Sequence, residues 1–211
     1  MPGLFITLEG IEGVGKSTCI RYLSRYLTRQ GMPFIVTREP GGTPFAEEIR
    51  NLILHHHSSE PICPDTELLL LFAARAQHIS EVVLPALAEG KWVLCDRFTD
   101  ASYAYQGGGR RVDQKRIQII EHWVQEDFRP DYVFLLDAPV KKALHRTRRR
   151  AELDRIEREE VSFFRRVRRA YLDRAEKFPR RYRVIDASKP LSVVKQALQA
   201  IIDPLIAKAK Q

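Results

Sequence analysis

Short apolar runs alternate along the chain with longer stretches in which apolar residues recur every three or four positions. The runs at 4–8, 34–37, 92–95, 132–136 and 182–185 predict five strands. Between the first two, Ile20, Leu23 and Leu27 share one face of a helix predicted over 17–29, which closes at Gly31. Similar amphipathic patterns predict helices over 45–54, 67–88, 113–123, 140–149, 159–178 and 191–207. Strand and helix in alternation predict an α/β fold, a five-stranded parallel sheet with helices on both faces. Ligands of such sheets bind beyond the strand C-termini. The chemistry is therefore expected just after Leu8, Thr37, Cys95 and Leu136.

Length and composition narrow this picture. A chain of 211 residues with 44% hydrophobic and 29% charged residues suits one globular domain over 1–211, with no low-complexity tract. The longest uninterrupted apolar run, 68–74, is too short to cross a bilayer, and no targeting segment precedes the first strand. A soluble cytoplasmic protein without a membrane partner is expected. Cys19, Cys63 and Cys95 form no CxxC pair, which also fits reduced thiols in a cytoplasm. His55, His56 and His57 read as a solvated loop rather than a metal site, because adjacent side chains point in different directions.

The net charge of +8 comes mostly from 146–150, 165–169 and 180–183. Three readings stay open for those arginines: helix faces laced with ion pairs, a grip on nucleotide phosphates, or nucleic-acid binding. Charge alone does not choose.

Motifs carry more. Directly after the first strand, Gly10-Ile11-Glu12-Gly13-Val14-Gly15-Lys16-Ser17, with Thr18 next, matches GxxxxGK[ST] at the opening of a helix. The glycines let backbone N–H groups curl around a nucleotide phosphate, Lys16 reaches the β- and γ-phosphates, and Ser17 can ligate Mg²⁺. No NKxD guanine motif is present, which argues against a GTPase switch. A motor-type ATPase would commonly end a strand in Asp-Glu, whereas here a strand ends in Asp96-Arg97. That pair places a metal organiser beside a phosphate clamp, or else is a structural ion pair. Glu12 is physically odd, since a carboxylate inside an anion-binding loop repels phosphate unless something offsets it.

Taken together, the phosphate loop, the TREPGGT segment at 37–43, Phe72-Ala73-Ala74-Arg75, Asp96-Arg97-Phe98, the YQGGGR block at 105–110 and Leu153-Asp154-Arg155 resemble bacterial thymidylate kinases of the type with a lid arginine. The resemblance runs from residue 4 to about 190. It implies a nucleoside-monophosphate-kinase core, a homodimer, ATP with Mg²⁺, and dTMP as phosphate acceptor, with no nucleic acid involved. An adenylate- or uridylate-type kinase is expected to lack both the TREPGGT and YQGGG blocks. The alternatives are another nucleoside-monophosphate kinase and, behind it, a regulatory P-loop ATPase using the basic tail.

The resemblance assigns Gly10 to Thr18 to ATP, Ser17 and Asp96 to the metal, and Arg38 and Arg97 to the acceptor phosphate. It assigns Glu12 to the 3′-hydroxyl of dTMP, Tyr105 to the deoxyribose, and Arg75 to the base with Ser102 and Gln106 nearby. Glu39 and Pro40 border the same site. This phosphate loop has no arginine, so a mobile lid at about 142–156 is expected to supply the catalytic cation, with Arg150 first in line and Arg155 next. One departure stands out. The family commonly has an aromatic four positions before the base-reading arginine, where this chain has Leu71; Phe72 is the nearby aromatic.

Overall fold

The structure, a computed structural model, describes residues 3–54, 60–147 and 154–210. In chain order the elements are β1 (Phe5–Glu9), α1 (Lys16–Arg29), β2 (Phe34–Arg38), α2 (Pro44–Leu54) and α3 (Pro64–His78). A π-helical turn, Ile79–Val83, joins α3 to α4 (Leu84–Ala88), and β3 (Trp92–Asp96) follows. Then come α5 (Thr99–Ser102), a π-helical segment Tyr103–Gly109, α6 (Gln114–Gln125) and β4 (Tyr132–Asp137). The chain continues with α7 (Val140–Thr147), α8 (Val161–Lys177), β5 (Tyr182–Asp186) and α9 (Leu191–Ala209).

The five strands pair in parallel in the order β2-β3-β1-β4-β5. Side chains alternate between its faces. Ile6, Leu8, Trp92 and Leu94 join the larger core, while Phe5, Val93 and Cys95 join Ile79, Val83, Ala86 and Phe98 on the opposite face. Both faces are covered, which is why the strands read as continuous apolar runs.

Each strand extends one residue beyond its apolar run, and that residue is Glu9, Arg38, Asp96, Asp137 or Asp186. The ladder holds these charged residues: Leu8 and Arg38 are both in register with Asp96, and Glu9 with Leu135.

Two segments differ from the sequence expectation. The helix expected over 67–88 begins at Pro64 and passes through the π turn immediately before Pro85, whose missing N–H and ring disturb an α ladder. At 25 residues and mean hydropathy 1.3, Pro64–Ala88 passes the length and hydropathy test for a membrane span, unlike the shorter run at 68–74. It serves instead as a core helix, burying Leu68, Phe72, Ala74 and the ion-paired Arg75. The glycine-rich 99–109 was not expected to be helical. Its conformation depends on packing: side chains at Gly108 or Gly109 would collide with Ala170 or Phe163 of α8.

Several late arginines are engaged within the fold. Arg168 forks onto Asp137 at 2.7 Å through both Nε and Nη2, Arg169 pairs with Asp173 one turn on, and Arg174 pairs with buried Asp100. His55, His56 and His57 lie outside the described residues.

Candidate active site

The phosphate loop joins β1 to α1. Gly10, Gly13 and Gly15 have φ of 132°, 76° and 100°, a region that side chains disfavour, and a Cβ on Gly10 would strike the Leu136 carbonyl oxygen. The N-terminus of the 14-residue α1 brings roughly half a positive charge to the loop. Lys16 Nζ donates to the carbonyls of Gly10 (3.0 Å) and Ile11 (3.1 Å). Burial pushes the ammonium down to about 8, and the nearby Arg97 charge adds to this, while Asp96, Glu12 and Glu9 oppose it.

Two adjoining cavities open from this loop. The larger, about 540 Å³, is bordered by residues 12–19, Arg38, Asp96, Arg146, Ala187 and Lys189, a size suited to a nucleotide. The second is bordered by Pro40, Leu71, Arg75, Phe98, Ser102, Tyr105 and Gln106. Glu12, Glu39, Arg50, Arg97 and Asp154 border both. A group passed between ligands in the two cavities would cross that shared wall.

Arg97 occupies the junction. Nη1 donates to Gly10 O (2.9 Å) and Tyr171 Oη (3.1 Å), and Nη2 to Glu12 Oε1 (2.7 Å) and Tyr105 Oη (3.0 Å). Tyr105 in turn donates to Glu12 Oε2 at 2.6 Å. The repulsion expected of Glu12 is thus offset by a guanidinium and a phenol. The Arg97 backbone has φ 70°, a conformation that costs a non-glycine residue about 1–3 kcal/mol. The next N–H, of Phe98, is held by Glu9 Oε1 at 2.7 Å, and Glu9 Oε2 accepts from Tyr171 Oη at 2.7 Å.

In the second cavity, Arg75 is buried with Nε on Glu39 Oε2 (2.7 Å) and Nη2 on Ser102 Oγ (3.1 Å); its Nη1 has no partner among the described residues. Gln106 donates Nε2 to Glu67 Oε1 at 2.6 Å, which fixes its amide and leaves Oε1 buried without a partner. Leu71 borders the cavity, while Phe72 sits behind Arg75, its ring centroid 4.4 Å from the guanidinium carbon, among Leu68, Tyr103 and Ile117.

Some expected residues stand elsewhere. Arg38 is 54% exposed and paired with Glu47 at 2.8 Å. It borders the larger cavity only, whereas Arg50, which sequence reading missed, borders both and donates to Pro40 O at 2.9 Å. Its signal was available: Arg50 is the one basic residue of α2. Arg155 donates to Ile53 O at 2.9 Å and pairs with buried Glu67, so its guanidinium is committed beside Gln106 rather than to the phosphate loop. Glu9, Glu67 and Tyr171 were also missed, because their partners are distant in sequence. Arg150 lies outside the described residues.

The carboxyl oxygen Asp96 Oδ1 is buried without a hydrogen-bond partner among the described residues, in the cavity that Ser17 also borders. A hard oxygen donor left unsatisfied beside a hydroxyl and a phosphate loop fits Mg²⁺, which takes few protein ligands and binds with substrate phosphates. No cluster of three or more His, Cys, Asp or Glu suited to a metal exists among the described residues.

Burial raises the Glu9 carboxyl from 4.5 to about 8, helped by Asp100 and opposed by Arg97. The folded state then holds this proton more tightly than the unfolded chain, so Glu9's contribution to stability is full below pH 4.5 and is lost as pH rises through about 8. Lys16 acts only in the separate window between about 8 and 10.5. Thermal melts should therefore show the wild-type midpoint falling relative to Glu9→Gln between pH 5 and pH 8. Parallel curves for the two proteins would refute the raised carboxyl.

A family model for thymidylate kinase matches residues 8–198. The thymidylate kinase of Pseudomonas savastanoi pv. phaseolicola is 55% identical over 206 residues, 98% of each chain. That of Pseudomonas entomophila is 53% identical over 210 residues, covering both chains in full. Among solved structures, the thymidylate kinase from Ehrlichia chaffeensis matches with a TM-score of 0.78 at 31% identity, over 96% of this chain and 99% of that one. The likeness extends over the whole fold, that of P-loop nucleoside-monophosphate kinases. The chain belongs to the thymidylate kinase family.

Proposed function

We propose a division of labour between the two cavities in the reaction of this family, transfer of the γ-phosphate of ATP to dTMP to give dTDP and ADP. The chain is an ATP:dTMP phosphotransferase. ATP occupies the larger cavity, its phosphates cradled by the loop N–H groups and Lys16. Ser17 and Asp96 would hold Mg²⁺, which when bound would supply positive charge to offset that of the phosphates. The acceptor phosphate lies at the shared wall against Arg97 and Arg50, Glu12 takes the sugar 3′-hydroxyl, and Tyr105 closes the sugar site. Residues 142–156 act as a lid over ATP. Its catalytic cation is Arg150, since the phosphate loop has no arginine and Arg155 is committed to Glu67.

The observation that carries the acceptor assignment is the pair of unpartnered atoms on the second cavity's lining residues, donor Arg75 Nη1 and acceptor Gln106 Oε1. Thymine offers the complement, an acceptor at O4 beside a donor at N3–H; cytosine offers a donor at the amino group beside an acceptor at N3. Leu52, Leu69, Ile119 and Trp123, with exposures of 58%, 57%, 67% and 84%, lie on α2, α3 and α6, of which α3 packs against both of the others. That apolar surface supports the homodimer, and free Cys19, Cys63 and Cys95 support a cytoplasmic location that cell fractionation can test.

In a coupled ADP-release assay, removing Mg²⁺ should abolish turnover. Arg150→Ala should lower kcat on the order of 10³-fold with little change in KM for dTMP, as for other arginine cations in phosphoryl transfer. A change in KM alone would make Arg150 a positioning group.

Base discrimination gives a sharper test. A methyl group contributes about 0.8 kcal/mol of burial, so dTMP should exceed dUMP only several-fold in kcat/KM. A hydrogen bond to a charged group contributes about 1.5–3 kcal/mol, so dCMP should be rejected far more strongly, and Arg75→Ala should remove most of that difference. Tyr105→Ala should admit UMP. Unchanged discrimination in either variant would move the pocket to other side chains.

Sedimentation velocity should show a dimer that Trp123→Glu dissociates; a monomeric wild type would overturn the assembly.

A further inference from the structure

A line of polar groups, buried except at its half-buried Thr37 end, runs behind the acceptor cavity from β2 to the base-facing arginine. The imidazole of His78 is wholly buried, with both nitrogens engaged: Nε2 lies 2.6 Å from Thr37 Oγ1, and Nδ1 lies 2.9 Å from Glu39 Oε1. Arg75 Nε occupies the other carboxylate oxygen at 2.7 Å, Ser102 holds Nη2, and Nη1 is left over. One arrangement of protons satisfies the whole line. The Thr37 hydroxyl donates to Nε2, Nδ1–H donates to the carboxylate, and the guanidinium donates to its second oxygen. In this arrangement Glu39 compensates the charge of Arg75.

Sequence and packing explain why His78 can do this. It follows Arg75 by three residues in α3, so both side chains leave the same face of the helix and meet one carboxylate. Gly42 lets the loop close over the ring: a Cβ there would lie 2.5 Å from His78 Cδ2 and 2.6 Å from Thr37 Oγ1. His78 does not itself border either cavity.

We infer that His78 and Thr37 are positioning residues for recognition of the acceptor base. His78, held in place by Thr37, occupies one oxygen of Glu39, which limits the carboxylate to a single bond with Arg75 and keeps the guanidinium oriented with Nη1 toward the ligand. Without the imidazole, Glu39 Oε1 loses its partner in a buried site. The planar guanidinium can then fork onto both oxygens through Nε and Nη2, drawing Nη2 off Ser102 and turning Nη1 away from the position at which it meets the base. The inference rests on the reading of Arg75 as the group that contacts O4.

The test is steady-state kinetics with dTMP, dCMP and ATP on the wild type, Arg75→Ala, His78→Leu, His78→Asn and Thr37→Val, each with a thermal melt. His78→Leu should narrow the dTMP-to-dCMP ratio of kcat/KM on the order of tenfold, mainly through KM for dTMP. Its kcat with dTMP and KM for ATP should stay within about twofold of wild type. His78→Asn, whose amide can replace the Nδ1–H donor, should restore most of the ratio, and Thr37→Val should shift it by a smaller amount in the same direction. If Arg75→Ala loses discrimination while His78→Leu only melts earlier at an unchanged ratio, His78 serves packing alone and the inference fails. If Arg75→Ala itself keeps discrimination, the base-pocket reading fails first and this inference falls with it. Should His78→Leu not fold, Thr37→Val and His78→Asn decide: an unchanged ratio in Thr37→Val overturns the inference.

Discussion

Arg97 carries a full charge into the interior, and much of the site consists of what that charge requires. A largely buried guanidinium without partners is untenable, so its terminal N–H groups must find acceptors in a small volume. They find the Gly10 carbonyl, Glu12, Tyr105 and Tyr171. Those partners come from the phosphate loop, the π-helical segment and α8, so one side chain ties three separate parts of the fold to a strand end. Glu9 completes the arrangement from below by holding both Tyr171 and the Phe98 N–H. The strained backbone at Arg97 persists because its surroundings over-determine it.

The same logic holds across the second cavity. Where it meets the larger one, Arg97 is paired with Glu12 and Arg50 donates to the Pro40 carbonyl. At its far end, Arg75 is neutralised by Glu39 and Arg155 by Glu67, so in the proposed reading these groups act through direction more than through net charge. Single unpartnered atoms, Arg75 Nη1 and Gln106 Oε1, then become the features with which a base can be read. Recognition by hydrogen-bond direction needs side chains that cannot swing. The buried line through Glu39, His78 and Thr37 supplies that rigidity.

Local signals made the fold and half of the site legible. Apolar runs and helical spacing mark all five strands and most helices, because both faces of a parallel sheet are buried and its strands cannot hide their composition. The phosphate loop is legible because its function is performed by consecutive residues with fixed backbone demands: glycines at positive φ, then Lys16 and Ser17 at a helix start. Asp96 and Arg97 were marked by their place at a strand end. These features depend on neighbours within a few residues.

What only tertiary structure decided is which distant charges meet. Nothing local pairs Arg38 with Glu47 while leaving Arg50 at the shared wall, or turns Arg155 to Glu67. Nor does spacing place Phe72 behind Arg75 while Leu71 borders the cavity, since both lie within one helical turn of the arginine. The glycine-rich stretch near Gly108 is helical because α8 lies too close for side chains there, a fact of packing across more than fifty residues of chain. Sequence determines where backbone conformation and burial must go, since those costs are paid locally. The pairing of buried charges minimises a desolvation energy that belongs to the assembled interior, and is settled only when the elements have packed.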